Sequence, residues 1–355
     1  MRIGMKQISE LSGFSLATVS NALNGKKGVN AQTSKKILEI ASNVGYLDNA
    51  RISGIKIIMY QKNGKILNET PLISALFDGV EIESRRNGFD TTICYIRESD
   101  YDFETQLSNI LNERNYGILL LATEMEQQDI KRFASVVVPF VVVDAWFEDE
   151  SFDTVLMNNT DSVHRAIKYL IDHGHREIGC LRSKITIRNF HYRRLGLINT
   201  LAQYGLALES KFCVDLEPTI NGAYEDMKQF LSKPHMLPTA YYVDNDVIAL
   251  GAMKAMIEYG YKIPNDVSII GFDNHTPLID MASPPLTTMH VPKRELGILA
   301  ASRLIEQIKS ASVVPARIEV LTELIVRESV KTLHRNENEV DDFTFQAESS
   351  GLVKM

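Results

Sequence analysis

Short apolar runs alternate with longer amphipathic stretches from Ile55 to about residue 330. Runs at 55–60, 90–96, 117–122, 138–143, 154–157, 177–182, 240–243 and 267–272 have the length and character of buried strands. Between them, 72–87, 106–113, 162–173, 190–204, 223–231 and 245–259 carry apolar residues at helical spacing. Strands interleaved with helices in this way predict parallel sheets with crossover helices on both faces. The number of strands calls for two such sheets, and so for two lobes with a cleft between them. The first fifty residues follow a different pattern, that of three short helices. A run from Met5 to Ser12 is stopped by Gly13, where glycine suits a positive φ. Ser15 is placed as the N-cap of a second helix containing Thr18 and Val19, and Asn30 as the N-cap of a third. Ile37, Leu38, Ile40, Ala41 and Val44 form the stripe of that third helix, and Gly45 ends it. Val19 and Leu23 are expected to point onto Ile8 and Leu11, which leaves Leu16, Ala17, Ser20 and Asn21 on the outer face. This is the pattern of a helix-turn-helix whose second helix enters a DNA major groove, where asparagine pairs with adenine. An ordinary helical hairpin has the same pattern.

Composition and charge narrow the picture. The chain has 355 residues, 45% of them hydrophobic and 23% charged, which suits a globular protein with more than one core. Cys94, Cys180 and Cys213 are far apart in sequence and lack metal-ligand spacing, so reduced thiols are expected. No apolar leader is present, and the run 136–143 is broken by Pro139 and too short to span a bilayer, so a cytoplasmic location without a membrane partner is expected. The net charge of −7 excludes a generally basic nucleic-acid coat. Residues 1–50 nevertheless hold six basic side chains (Arg2, Lys6, Lys26, Lys27, Lys35, Lys36) against three acidic ones. An acidic protein with one basic end binds phosphates locally.

Ligands of parallel sheets bind beyond the carboxyl ends of the strands. Asp144, Asn189 with Arg193, Asn245 with Asp246, and Asp273 with Asn274 all lie there, and Asp161 trails the 154–157 run. Several carboxylate, amide and guanidinium groups at strand ends suit a hydroxyl-rich ligand, because each vicinal diol needs paired donors and acceptors. For Asp161 and Asp246, helix capping accounts equally well. Trp146 either stacks on the apolar face of a sugar or packs within its lobe. His164, His173 and His175 form no closed metal set, and no cofactor is expected. Arg176 stands at a favourable place for a cation, near a helix C-terminus. No nucleophile elbow, phosphate loop or dinucleotide fingerprint occurs, so the reading contains no enzyme.

Ile8, Leu11, Gly13, Ser15, Ala17-Thr18-Val19-Ser20, Leu23-Asn24-Gly25, Val29, Gly45-Tyr46 and Asn49 make residues 5–49 resemble the headpiece of the LacI/GalR family of bacterial transcription regulators. Later motifs look like the family's core signatures, in the same order. They are 173–179, Asp244-Asn245-Asp246 before Ala249-Leu250-Gly251, the stretch 263–273, Pro285-Leu286-Thr287-Thr288 and 324–329. The resemblance implies an all-α helix-turn-helix headpiece joined to an α/β two-lobed periplasmic-binding-protein-like core. It divides the chain into a headpiece at 1–50, a join at 51–54 lacking the usual hinge helix, a core at 55–330 and a polar, disordered tail at 331–355. The first lobe takes about 55–157 plus 290–319, and the second about 158–289 plus 320–330.

The same resemblance implies the functional residues. Leu16, Ala17 and Asn21 sit where base-reading residues sit, with Ser20 nearby; many relatives carry arginine where Asn21 stands. The full DNA-contact set expected is Ser15, Leu16, Ala17, Thr18, Ser20, Asn21, Asn24, Lys26, Lys27, Asn30 and Lys35. Effector contacts are expected from Asp144, Trp146, Asn189, Arg193, Asn245 and Asp273. The partners implied are a pseudo-palindromic double-stranded operator, a small sugar effector and a second copy of the chain, with the stripe Leu72, Ala75, Leu76, Gly79, Val80 as candidate dimer surface. The function expected is a sugar-responsive repressor. A purine- or nucleoside-responsive or effector-free member of the family, or a plain sugar-binding module, is the alternative.

Overall fold

The computed structural model describes residues 5–23, 28–43, 52–67, 72–310 and 314–333. The expectations for Asn24, Lys26 and Lys27, for the hinge region before Ile52 and for the tail after Leu333 lie outside the described residues.

Three helices form the headpiece: α1 (Met5–Ser12), α2 (Leu16–Leu23) and α3 (Ala31–Asn43). Gly13 has φ +75°, as a helix stop in the left-handed region requires. The N–H of Thr18 donates to Ser15 Oγ at 3.2 Å, and that of Thr33 to Asn30 Oδ1 at 2.7 Å, so both caps form. The core consists of Ile8, Val19, Ala22, Ile37 and Ala41, with Phe14, Leu23, Val29 and Ile40 against it. Leu11 departs from expectation: it is 55% exposed, whereas Ser12 is buried. The helix turns its Ile8/Ser12 face inward, and Phe14 of the turn fills the place expected for Leu11.

The rest of the chain folds into two lobes. The first is entered through β1 (Gly54–Gln61), α4 (Leu72–Arg86), β2 (Asp90–Arg97), α5 (Phe103–Leu111), β3 (Tyr116–Leu121), α6 (Gln127–Ile130), β4 (Phe140–Val143) and β5 (Asp153–Met157). The second contains α7 (Asn159–Asp172), β6 (Ile178–Ser183), α8 (Arg188–Gln203), β7 (Cys213–Leu216), α9 (Ile220–Leu231), β8 (Ala240–Val243), α10 (Asp246–Glu258), β9 (Ser268–Asp273), α11 (Leu278–Met281) and β10 (Thr287–His290). The chain then returns to the first lobe as α12 (Lys293–Lys309) and β11 (Arg317–Val320), and ends in the second with β12 (Glu323–Ile325). The strand orders are β11-β5-β4-β3-β1-β2 and β12-β10-β9-β8-β6-β7. Every pair is parallel except β10 with β12.

The long apolar runs all became strands, and all but one are buried on both faces; the run 90–96 became β2, a largely exposed strand at the edge of its sheet. The strands that the pattern did not mark, β7, β10, β11 and β12, are short, and three of them carry polar or half-buried residues at sheet margins. Register sets Cys180 beside Cys213, although they are far apart in sequence; both are free thiols.

Three residues of the expected stripe on α4 are not free for a dimer surface. Leu76, Gly79 and Val80 are buried within the chain against α12. A Cβ on Gly79 would lie 2.0 Å from the Arg294 carbonyl oxygen, and one on Gly297 would lie 2.1 Å from that of Leu76. The two glycines let the helix backbones touch, which uses up that face. The end of the second lobe also runs further than expected, because Lys331 to Leu333 dock on it. The Leu333 N–H donates to the His173 carbonyl at 2.8 Å, and Lys331 N–H to Ser268 Oγ at 3.1 Å. Arg176 donates to the Ile171 carbonyl at the C-terminus of α7, as its position implied.

Candidate functional site

The carboxyl ends of the strands in both lobes face one pocket of about 410 Å3, partly open to solvent. Asp144, Asn189, Arg193, Asn245 and Asp273 all line it, together with Ile66, Thr123, Met157, Ile187, Phe190, Val291 and Lys293. Two strand-end residues adopt backbone conformations that L side chains rarely take: Asp144 at φ +67° and Asp273 at φ +109°, followed by Asn274 at +53°. Strain of this kind persists only where the surroundings hold it, and it clusters at ligand sites.

Asp144 is buried and receives Thr123 Oγ1 at 2.5 Å and Asn189 Nδ2 at 3.1 Å. Burial pushes its carboxyl up to about 6, while the Thr123 hydroxyl, Arg193 and Asn189 pull it back down. Arg193 lies under the pocket with Nε on Asn159 Oδ1 (2.9 Å), Nη1 on the Asp244 carbonyl (2.6 Å) and Nη2 3.4 Å from Asp273 Oδ1. Its guanidinium carbon stands 3.5 Å from the Phe272 ring centroid. The fork therefore ties strand ends together, and Asp273 is its pocket-facing partner. Asn245 caps α10 through Oδ1, which accepts the Ile248 N–H at 3.0 Å. The opposite, amide end remains for the pocket. Asp246 sits behind it, accepting Thr288 Oγ1 at 2.6 Å and the His275 N–H at 2.8 Å. Burial and then the Asp273 charge raise its carboxyl to about 7. Asp161 lies in the first turn of α7, where Asn158 is the actual cap.

The lobes meet across this pocket. Asn189 Nδ2 donates to the Asp144 carbonyl at 3.0 Å, Arg188 pairs with Glu148 at 2.9 Å, and Lys65 pairs with Glu217 at 2.7 Å. Ile66 of the first lobe packs on Ile185, Ile187 and Phe190 of the second. Trp146 is a correction to the expected effector set, because it does not line the pocket. It stacks on Tyr192 with centroids 5.5 Å apart, and Arg317 lies 4.4 Å from its centroid, so it packs the lobes together.

Thr123 and Ile66 were not expected in the pocket, and Lys293 was marked only through the family resemblance, as a replacement, with Val291, of polar and aromatic positions found in some relatives. Thr123 follows β3 and was within reach of the strand-end rule. Lys293 opens α12, a helix that the apolar pattern did not single out. Ile66 belongs to a loop held by Glu124, whose Oε2 accepts the N–H groups of Lys62 (2.9 Å), Asn63 (3.1 Å) and Gly64 (2.9 Å). Its Oε1 accepts those of Ile66 (3.2 Å) and Leu67 (3.3 Å). One buried carboxylate thus folds the whole segment 62–67 over the pocket, a tertiary role that no local motif announces.

On the headpiece, Leu16 and Ala17 are exposed, and Thr18, Ser20 and Asn21 are half-buried. Ser15 and Asn30 serve as caps, and Lys35 is exposed on α3. Among the described residues no group of His, Cys, Asp and Glu is placed to hold a metal. No helix among them is long and apolar enough to cross a membrane.

Residues 4–49 match the model described as bacterial regulatory proteins, lacI family, and residues 167–330 match the periplasmic binding protein-like domain. The chain is 32% identical over 334 residues to the HTH-type transcriptional repressor PurR of Pasteurella multocida (strain Pm70), covering 92% of this chain and 98% of that one. The chain belongs to the lacI family of bacterial regulatory proteins. This lacI-family regulator is also 31% identical over 335 residues to the repressor of the same name from Histophilus somni (strain 129Pt), over 93% and 99% of the two chains. Among solved structures it shares its fold with the transcriptional regulator CelR–cellobiose complex, with a TM-score of 0.70 and 23% identity over 92% of this chain and all of that one. The lac repressor dimer bound to operator and the anti-inducer ONPF has the same fold, with a TM-score of 0.68 and 21% identity over 93% of this chain and all of that one. The regulator is therefore a DNA-binding transcription factor with a helix-turn-helix headpiece and a two-lobed ligand-binding-type core.

Proposed function

We propose that this lacI-family regulator is a cytoplasmic homodimeric repressor, without a catalytic step, whose operator affinity is set by a sugar or sugar derivative held between the core lobes. The observation that carries the reading is the convergence of Asp144, Asn189, Asn245 and Asp273 on one strained, strand-end pocket. These groups offer the alternating acceptors and donors that adjacent hydroxyls require. Among the described residues the lining contains a single ring, Phe190, which suits the apolar face of a sugar better than the two faces of a purine. Two related folds were solved with sugars: the regulator CelR with cellobiose, and a lacI-family regulator from Enterococcus faecalis V583, at 25% identity, with ribose. A purine or nucleoside effector is the second reading, because the relatives named PurR align over the core as well as the headpiece.

Leu16, Ala17 and Asn21 would meet base edges in each operator half-site, with Ser15, Thr18, Ser20, Asn24 and Asn30 on or near the backbone. Lys26, Lys27 and Lys35 would contact phosphates, which orient the headpiece without choosing sequence. An effector alters DNA affinity only by binding one arrangement of the lobes more tightly than the other. The test is a gel shift on a palindromic operator with neutral sugars, hypoxanthine and guanine. A shift changed by a sugar supports the reading, a change with the bases alone favours the second, and no operator binding at low salt refutes both.

A further inference from the structure

Within the pocket, Lys293 is a cation without a counter-ion. It is 8% exposed, and its ammonium donates to the main-chain carbonyl of Asp273, a neutral acceptor. No carboxylate among the described residues lies within ion-pair distance of it, although the charges of Asp273 and Asp246 reach it from further away, and Arg193 opposes it. Burial, with Arg193 adding to it, depresses its proton affinity. Its place in the fold adds to the problem. Lys293 is the first residue of α12, a helix of 17 residues, and the first turn is the end at which a cation is disfavoured and an anion favoured. Buried lysines without a partner are rare for these reasons. A side chain kept in such a position, in the wall of a ligand pocket, finds its missing partner in the ligand.

We propose that Lys293 is a specificity-determining residue and that the effector is a sugar acid, a polyhydroxylated ligand whose single carboxylate pairs with the Lys293 ammonium. This rests on the reading of the pocket as a site for hydroxyl-rich ligands, and it selects within that class. An ammonium has three donors, of which Asp273 takes one, so two remain for a carboxylate. The charge of the ligand follows from the rest of the lining. Arg193 has its fork committed to Asn159, Asp244 and Asp273, so among the described residues of the lining Lys293 is the cation with donors to give. Asp144 and Asp273 stand in the same wall and repel a second negative charge. A monoanion suits this balance, and a phosphate dianion does not. The hydroxyls then fall to Asp273, Asn245 and the Asp144–Asn189 pair, with Phe190 and Ile66 against the carbon skeleton.

The test is isothermal titration of the full-length chain with glucuronate, galacturonate and gluconate, beside glucose, galactose, glucose 6-phosphate and hypoxanthine. One acid should bind at least tenfold more tightly than the neutral sugar of the same configuration. Lys293→Met should erase that preference, and Lys293→Arg, which keeps the charge, should restore most of it. Melting curves of the variants establish that they fold. If the preference survives in Lys293→Met, if a neutral sugar, phosphate ester or base matches the best acid, or if no acid binds, the proposal is overturned. A neutral sugar that binds as tightly as the best acid and changes operator affinity would overturn this inference alone. Failure of every ligand to change operator affinity would overturn the effector reading beneath it.

Discussion

Glu124→Gln replaces one of the two oxygens that hold residues 62–67 with an amide NH2 group. The five backbone N–H groups are shared three to Oε2 and two to Oε1, so at least two donors lose their acceptor and face another donor. Hydrogen bonds to a charged group each contribute roughly 1.5–3 kcal/mol, and bonds sharing one acceptor group do not add fully, so the local loss is about 3 kcal/mol. That amount corresponds to about a 100-fold rise in the open population of the segment. Hydrogen exchange read by mass spectrometry should show the amides of 62–67 exchanging about 100-fold faster, while those of α9 in the other lobe stay as they were. Ile66 lines the pocket and touches the second lobe, so effector affinity should fall together with loop protection. Unchanged exchange across 62–67, or equal acceleration throughout both lobes, would refute the idea that Glu124 is the anchor of this loop.

Gly79→Ala drives a methyl group into the Arg294 carbonyl where α4 and α12 touch. It should destabilise the first lobe by roughly 3 kcal/mol in denaturant unfolding, whereas Gly205→Ala, which meets no atom, should show only the smaller penalty of a positive φ. Stability should also fall with rising pH between 6.5 and 8. Asp246, at about 7 when folded and near 4 when unfolded, holds a proton in the folded chain that the unfolded chain has already released, so the folded state loses its advantage as pH passes through 7. The loss is about 1 kcal/mol over that range, and Asp246→Asn should remove it; His175, held at about 4 by burial, releases its proton near 6.5 only when unfolded, and so opposes the loss weakly at the lower end of the window. Asn21→Arg should move the base preferred at one operator pair from adenine to guanine in a binding selection, because the guanidinium reads guanine O6 and N7.

Much of the ligand site was legible because it depends on a rule of sheet architecture. Asp144, Asn245 and Asp273 stand at strand ends and Asn189 and Arg193 in the first turns of the helix after β6, and both places follow from the apolar runs. What that rule does not reach depends on tertiary pairing. Glu124 acts through main-chain groups that carry no side-chain signature, and Lys293 reaches the pocket only because α12 crosses back to the first lobe. Leu11 and Ser12 differ by one helical step, and the choice between them was made by Phe14 folding in from the turn. The α4 stripe had the look of an interface because an apolar stripe is the same whether a second copy or α12 covers it; Gly79 and Gly297, more than two hundred residues apart, decide the matter. Trp146 stands two residues after Asp144 yet turns away from the pocket to meet Tyr192.

The central claim couples one pocket to one headpiece, and Asp273 tests that coupling most directly. Asp273→Ala removes the carboxylate that faces both the pocket and Arg193, and leaves α1 to α3 untouched. Operator affinity should be measured by fluorescence anisotropy at fixed salt, with and without the effector found by titration. The account predicts wild-type operator binding in the variant and an effector response reduced to nothing. Operator binding that still responds to effector in Asp273→Ala would contradict it.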